Sequence, residues 1–564
     1  MIINALVKRY EDTGEVPSGW QFRDVSYALD ISENGRLLGI RSLETIDGKK
    51  TTKRRMMLPV EPTGRTSGIK ASFLCDNGGY LLAADQKRGG DKFQHAKQLH
   101  KQILETVDTP TARAIIAYFD LGVPENWEVH LDAEVAGNAK LVFQVHGVFA
   151  DNRDDALRRA WDNYYSSMDA DYGEAIRCLV TGEIDQPEAT HGTIKLRGGQ
   201  PSGSLLVIAN AESFTSYGKT GKDRAADIGK YAAFAYVTAL NSLLGDAKHR
   251  QFIGGDTLVY WSENGDGAEE EVFSWSSQPT EDDLDKIDAL IRKVAMGMPV
   301  EVKGCKLDSR FHLLCLSPNA GRISIRFFHT DSFGSILSKN IEHYQRMEIY
   351  KAGNDKYRHL PAWMVLSETT VKKQSSDVMP LLGGQYLHSI ITGNRYPMTL
   401  FHAILNRIRA GEEVNKIKAA VMKAVLLRNF DNESEEITVA LDKQSDNKPY
   451  VLGRLFSVLE RLQQQAAEGR LNTTIRDKYF SSSCANPSSV FPTLLKLSSH
   501  HSAKLDNAVY FEILKTELLS KLDVDDPFPK ALSLENQGRY ILGYYHQTQE
   551  FFTSKKEKEE QGNV

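Results

Sequence analysis

The chain has 564 residues, 41% hydrophobic and 25% charged, with a formal net charge of −5 at pH 7. That length exceeds a single compact core and predicts about two to four folding units. No stretch approaches the roughly 18 unbroken apolar residues of a membrane span, and charged residues, Lys8 and Arg9 and then Glu11 and Asp12, follow the short apolar run of the N-terminal MIINALVKRYEDTG. These features predict a soluble, cytoplasmic chain with neither a secretory leader nor a membrane partner.

In chain order, Val25, Tyr27, Leu29 and Ile31 alternate at period two and predict a strand. Next comes a concentration of positive charge, Lys49, Lys50, Lys53, Arg54, Arg55, Arg65 and Lys70, against the single acid Glu61. Within it, Arg65, Thr66, Ser67, Gly68 and Lys70 set cations, hydroxyls and a glycine together, and Asn77 and Gly78 follow closely. That composition suits close backbone approach to phosphates or base edges, and equally a solvated turn between strands.

Cys75, Cys178, Cys305, Cys315 and Cys484 lack CxxC spacing, which argues against disulfides and a zinc site and predicts reduced, mostly buried thiols. Residues 95–107 fit a short helix, and 140–148, 204–209, 256–262 and 322–328 read as strands bounded by turn residues. Residues 227–244 form a good helix of small and apolar side chains. Acids collect in 151–171 and 263–288, where they are expected to face solvent or basic partners.

From about residue 397 the periodicity turns helical, with stripes at Leu400, Phe401, Ile404 and Ile408, at Ile417, Val421 and Val425, and at Leu452, Leu455, Phe456, Leu459 and Leu462. A further helix is expected to start at Ser488 or Ser489 with Pro492 in its first turn, and another to run through Phe511, Leu514, Leu518 and Leu522. The fold class is α+β: a mixed α/β N-terminal region over 1–395, with a subdivision near 150–200 left open, then a C-terminal α-helical bundle over 396–552. The charged tail 553–564 is expected to be disordered. Cations outnumber acids in the helical third, where Arg407, Arg409, Lys423, Arg428, Arg454, Arg461, Arg470, Arg476 and Lys478 either track a single strand or are solvated.

Signatures of catalysis are missing. Around Lys219 the phosphate-loop spacing fails because Ser213 stands where its first glycine belongs. GGQPSGS at 198–204 reads as an ordinary loop. His500 and His501 are adjacent on a helix and point about 100° apart, which rules out joint chelation of one ion. The serines of SSSCANPSS lack a nucleophile elbow and read as a loop with an N-cap. No catalytic residue, metal ligand or cofactor is predicted.

LSPNAGRISIRFF at 316–328 closely resembles the signature of the large subunit of the type I-C CRISPR Cascade. Further segments resemble the same family in the same order: FTSYGK at 214–219, KYAAFAYVTALNSLL at 230–244, YWS at 260–262, the ITGNRYP to NRIRAG stretch at 391–411 and KAAVMKAVLLRN at 418–429. So do PYVLGRLFSVLERLQ at 449–463, LNTTIRDKYFSSSCANPSSVFPTLLKL at 471–497 and QGRYILGYYHQ at 537–547. The resemblance is weakest in the first 150 residues.

It implies a non-catalytic subunit of a prokaryotic RNA-guided complex for antiviral defence. Its partners are target double-stranded DNA, the crRNA, met indirectly or at its 5′ handle, the backbone subunits, the handle-capping subunit and a small subunit that the C-terminal helices resemble. Such a subunit recognises the protospacer-adjacent motif, starts the R-loop and helps recruit a helicase-nuclease. Guide pairing reads the remaining sequence.

On that reading Arg65, Thr66, Ser67, Gly68, Lys70, Asn77 and Gly78 read the motif. Lys49, Lys50, Lys53, Arg54 and Arg55 hold phosphates, and Arg454, Arg461, Arg470, Arg476 and Lys478 are candidates for the displaced strand. A nuclease or RNA-processing subunit of the same system, and a scaffold without DNA contact, are the competing classes.

Overall fold

The computed structural model describes residues 1–553 apart from 15, 48–49, 63–64, 66–67, 126, 168–174, 209–212, 214–225, 264–266, 297–301, 354–356, 375–376, 431–436 and 468–471. The segment at 214–219, Lys219 and the tail 554–564 therefore lie outside the described residues. The fold is α+β and divides into two compact units. One comprises Met1–Asp246 with Asn319–Ile323; the other comprises Ala247–Pro318 and Ser324–Val564.

The strands of the first unit are β1 (Trp20–Val25), β2 (Tyr27–Ile31), β3 (Leu37–Ser42), β4 (Thr45–Asp47), β5 (Lys50–Thr52), β6 (Arg54–Pro59), β7 (Cys75–Asn77), β8 (Lys140–Val145) and β9 (Val148–Phe149), followed by the small ribbon of β10 (Ile176–Arg177) and β11 (Ile184–Asp185). Its main sheet runs β3-β2-β8-β7, with β9 paired to β8 and β2 parallel to β8. Alternation along these strands separates two apolar layers. Leu29, Ile31, Leu141 and Phe143 pack on Phe93, Ile103, Ile115 and Phe119 of the helices Gly89–Leu104 and Pro110–Leu121. Ala28, Cys75 and Val142 belong to a second layer with Val25, Met56 and Leu58, so the β1–β6 ribbon covers the opposite face of the sheet.

Two strand expectations shorten. The stretch 140–148 breaks at His146 and Gly147, whose φ angles of 48° and 77° form the turn into β9. Among the described residues of the stretch 204–209, which are 204–208, only Ser204 and Leu205 pair, as isolated bridges to Ile194 and Arg322.

In the second unit β12 (Arg250–Ile253), β13 (Asp256–Ser262), β14 (Arg310–Asn319) and β15 (Arg322–Ser332) form a sheet in that order. A continuous apolar core runs from Ile253 to Tyr545 and takes in the helices Phe333–Met347, Leu382–Thr392, Met398–Arg409, Lys416–Asn429, Lys448–Ala466, Ile475–Ala485, Pro487–Ser502, Val509–Ser520 and Leu534–Phe552. The chain is already helical from Phe333, ahead of the change in periodicity near residue 397, and the helices on both sides of that point share one core.

The serine-rich segment is no loop. It is the last turn of Ile475–Ala485 and the first of Pro487–Ser502, with Ser483 Oγ buried 2.8 Å from the Tyr540 hydroxyl. Asn486, not Ser488 or Ser489, is the N-cap of the second helix, because Pro487 sets its first φ; Pro492 lies inside the helix and His500 and His501 in its last turn. The acid-rich stretches also depart from a purely solvent-facing role. Asp151, Glu269, Glu270 and Asp283 are buried; Glu269 accepts the Lys306 N–H at 2.9 Å and Glu270 that of Ser262 at 2.8 Å. All five cysteines are free, and all but Cys305 are buried.

Four buried histidines give the fold a pH signature. Burial lowers His100 and His191 to about 4 and His343 and His546 to about 3, from an ordinary 6.5. The unfolded chain takes up protons below 6.5 that the native state refuses, so these groups make stability fall as pH drops through that value. The urea midpoint is expected to decline between pH 6.5 and about 5, above the range in which most carboxylates titrate. A flat midpoint across that window contradicts the burial of these rings.

Candidate nucleic-acid interface

The basic segment begins on the β1–β6 ribbon. Lys53, Arg54 and Arg55 are exposed, and the guanidinium carbons of Arg54 and Arg55 lie 4.6 Å over the rings of Phe149 and Phe22. Lys50 is placed in β5, but its side chain, like the whole of Lys49, lies outside the described residues.

Where β6 ends, the chain enters a buried ionic network. Arg23 of β1 is 5% exposed; it donates to the Cys75 carbonyl at 3.0 Å and to Glu61, which also pairs with Lys140 of β8. Burial would raise the Glu61 carboxyl, but Arg23 and Lys140 outweigh it and hold it down to about 2.

The loop from Arg65 to Asn77 is organised by Asp76, which is fully buried. Its carboxylate accepts two bonds from the Arg65 guanidinium at 2.6 and 2.7 Å, the Ser72 N–H at 2.7 Å and the Asn77 N–H at 2.7 Å. Arg65 also stacks 4.4 Å over Tyr80, whose hydroxyl accepts the Lys70 N–H at 3.1 Å. A charge-paired, stacked guanidinium is among the stronger side-chain anchors a loop can have.

This corrects the roles expected within the loop. Arg65 donates through Nη2 to Asp76 and through Nη1 to the Ser72 hydroxyl at 3.4 Å, and supports the loop from within. Gly78 is buried in the short helix Gly78–Leu81; a Cβ there would come within 2.3 Å of the Ala136 carbonyl oxygen, so the glycine answers to internal packing. Gly68, by contrast, has open space around it. Lys70 is exposed and Asn77 half-buried, with an Oδ1 that makes no hydrogen bond among the described residues. Thr66 and Ser67 lie outside the described residues. The structure therefore brings Arg65, Lys70, Asn77 and Gly78 together around Asp76 and Tyr80. Sequence reasoning singled out neither of these two, and nothing in the local pattern marks an acid whose partner sits 11 residues upstream.

The cations of the helical third separate by burial. Arg454 is 1% exposed, with Nε donating to Gln547 at 3.2 Å and Nη1 to the Asp442 carbonyl at 3.1 Å, so it is a core residue and cannot touch a strand at the surface. Lys423 and Arg428 are buried too, donating to the carbonyls of Arg346 and Ser389. Arg407 pairs with Glu412. Arg461 lies 5.0 Å over the Phe552 ring, Arg476 is half-buried and Lys478 exposed. Arg470 lies outside the described residues.

Among the described residues no three His, Cys, Asp or Glu side chains group as metal ligands, and no helix is long and apolar enough to cross a membrane. LSPNAGRISIRFF occupies the β14–β15 hairpin, and the carbonyl of Ala320 at its tip, where φ is 51°, accepts the Ser204 hydroxyl at 3.2 Å. No curated protein matches the chain. The family model described as CRISPR-associated protein (Cas_Csd1) matches residues 5–552, and the chain belongs to that family of CRISPR-associated proteins.

Proposed function

We propose that this protein is the non-catalytic large subunit of a type I-C Cascade, acting in the cytoplasm of a prokaryote in antiviral defence. It binds target double-stranded DNA, recognises the protospacer-adjacent motif, and promotes duplex opening and R-loop formation with the crRNA. Its partners are the backbone subunits, the subunit capping the 5′ handle, the small subunit and the helicase-nuclease recruited afterwards. The observation that carries this reading is a basic ribbon running directly into a loop pinned by a buried carboxylate, in a chain matched by a CRISPR-associated family over residues 5–552. An acidic chain of net charge −5 that concentrates cations here binds duplex at a restricted patch instead of everywhere.

Within that patch Lys70 and Asn77 carry the motif contacts and Arg65 and Asp76 hold them in place. Lys53, Arg54 and Arg55 bind phosphates, which position without specifying. In the minor groove A·T pairs present only acceptors, so the Lys70 ammonium and the Asn77 amide are suitable donors. Arg461, Arg476 and Lys478 are the accessible candidates for the displaced strand. The assembled complex is expected to bind target DNA bearing the motif, to lose binding when the motif is replaced, and to leave the DNA uncut in Mg²⁺. Equal binding with either DNA would make the chain a scaffold, and specific cutting abolished by one acidic substitution would make it a nuclease.

A further inference from the structure

The two arginines at the start of β6 look equivalent in sequence and differ in what lies beneath them. Arg54 lies over Phe149, which is 8% exposed, so that ring serves the core and the arginine covers it. Arg55 lies over Phe22, which remains 40% exposed despite the guanidinium against it. A single exposed apolar side chain is ordinary on a protein surface, but three features set this one apart.

Phe22 stands on the ribbon directly opposite Met57, in a ladder whose neighbours Trp20, Val25, Met56 and Leu58 are all buried. The Arg55 guanidinium lies against the end of the helix Lys230–Gly245. A Cβ at Gly245 would fall 2.7 Å from its Nη1, and the helix C-terminus favours a cation there. Exposed Lys53 and Arg54 continue the positive charge along the same edge, and across the ladder Asp24 stands opposite Arg55.

We infer that Phe22 and Arg55 form a stacking platform for an unpaired nucleobase of a single nucleic-acid strand. The ring supplies the π-surface, and Arg55 with Lys53 and Arg54 meets the flanking phosphates. An exposed aromatic ring beside fixed cations is the arrangement by which single strands are held without sequence preference, because every base has a π-face. A paired, stacked base cannot use it, so the platform acts on a strand that is not in a duplex. The inference rests on the nucleic-acid reading of this ribbon and adds a ligand class that motif recognition in a duplex does not require.

The test is fluorescence anisotropy of the full chain with labelled oligothymidylate, oligouridylate and an abasic oligomer of equal length. Phe22→Ala is expected to weaken binding of the base-bearing oligomers about tenfold and to leave the abasic one unchanged. Phe22→Trp should restore binding. Phe22→Leu, which keeps apolar bulk without a ring, should not. A loss confined to thymidylate identifies the strand as DNA, one confined to uridylate as RNA, and a loss on both as either. The inference is overturned if the wild-type chain binds neither base-bearing oligomer, if Phe22→Ala changes neither, or if it weakens the abasic oligomer equally. Motif-dependent duplex binding by the assembled complex, measured with the same variant, stands or falls separately.

Discussion

Replacing Gly453 or Gly543 with alanine is expected to destabilise the helical unit by about 3 kcal/mol, the upper end of ordinary overpacking. The two glycines sit in the helices Lys448–Ala466 and Leu534–Phe552, where they bring the backbones into contact. A Cβ on Gly453 would lie 1.9 Å from the Tyr540 carbonyl oxygen, and one on Gly543 would lie 2.0 Å from that of Tyr450. A flexible side chain could swing aside, but a helical carbonyl cannot move without the helix. Alanine gains about 1 kcal/mol of helix propensity over glycine, so any net loss is due to the crossing. Once the helices have parted for one Cβ the second adds little, and the double variant should fall short of the sum. Gly90→Ala, with open space around the site, serves as the control and should be neutral or mildly stabilising. Urea unfolding of the full chain reads all four; unchanged midpoints for both crossing variants would contradict this packing.

Asp76→Asn is expected to cost about 3 kcal/mol, the lower end for breaking a buried ion pair, since the Arg65 side chain keeps 17% exposure. The amide has the carboxylate's shape but only one accepting atom. Its NH₂ would face the Ser72 N–H or the Arg65 guanidinium, donor against donor, and Arg65 would keep its charge without a counter-ion. The loop that carries Lys70 and Asn77 should loosen accordingly. Arg65→Met in the Asp76→Asn background should cost less than the sum of the single changes, because each has already lost the same bond. A loss under about 1 kcal/mol for Asp76→Asn would show that the loop holds its shape by other means.

The parts of the fold legible in the sequence are those set by one-sided burial. Leu29 and Ile31 betray β2 because its larger apolar side chains alternate onto one face, and Leu400, Phe401, Ile404 and Ile408 betray Met398–Arg409 because that helix presents one apolar side to a core. Helix Lys416–Asn429 defeats that logic. It is buried nearly all round, and its cations turn inward: Glu368 and Glu412 hold Lys418 at 2.9 and 3.0 Å, Lys423 donates to the Arg346 carbonyl, and Arg428 donates through Nη1 to that of Ser389. Counting cations along a helix therefore overstated the charged surface, Arg454 most of all. Gly453 and Gly543 read locally as weak points in helices, and only the crossing explains them.

In the candidate site the basic ribbon was visible because charge density is a property of sequence. Asp76 was not, since its importance comes from Arg65, Ser72 and Asn77 converging on one buried carboxylate.

Discrimination of DNA by this loop is read from the affinity of the assembled complex for cognate and motif-mismatched duplex, with Lys70→Ala and Asn77→Ala set beside Lys53→Ala and Arg54→Ala. The first pair should lose about 1–3 kcal/mol on cognate DNA and clearly less on mismatched DNA, while the second pair weakens both alike with a shallower salt dependence. Equal losses on both DNAs for Lys70→Ala and Asn77→Ala would contradict the account and make the loop a backbone clamp.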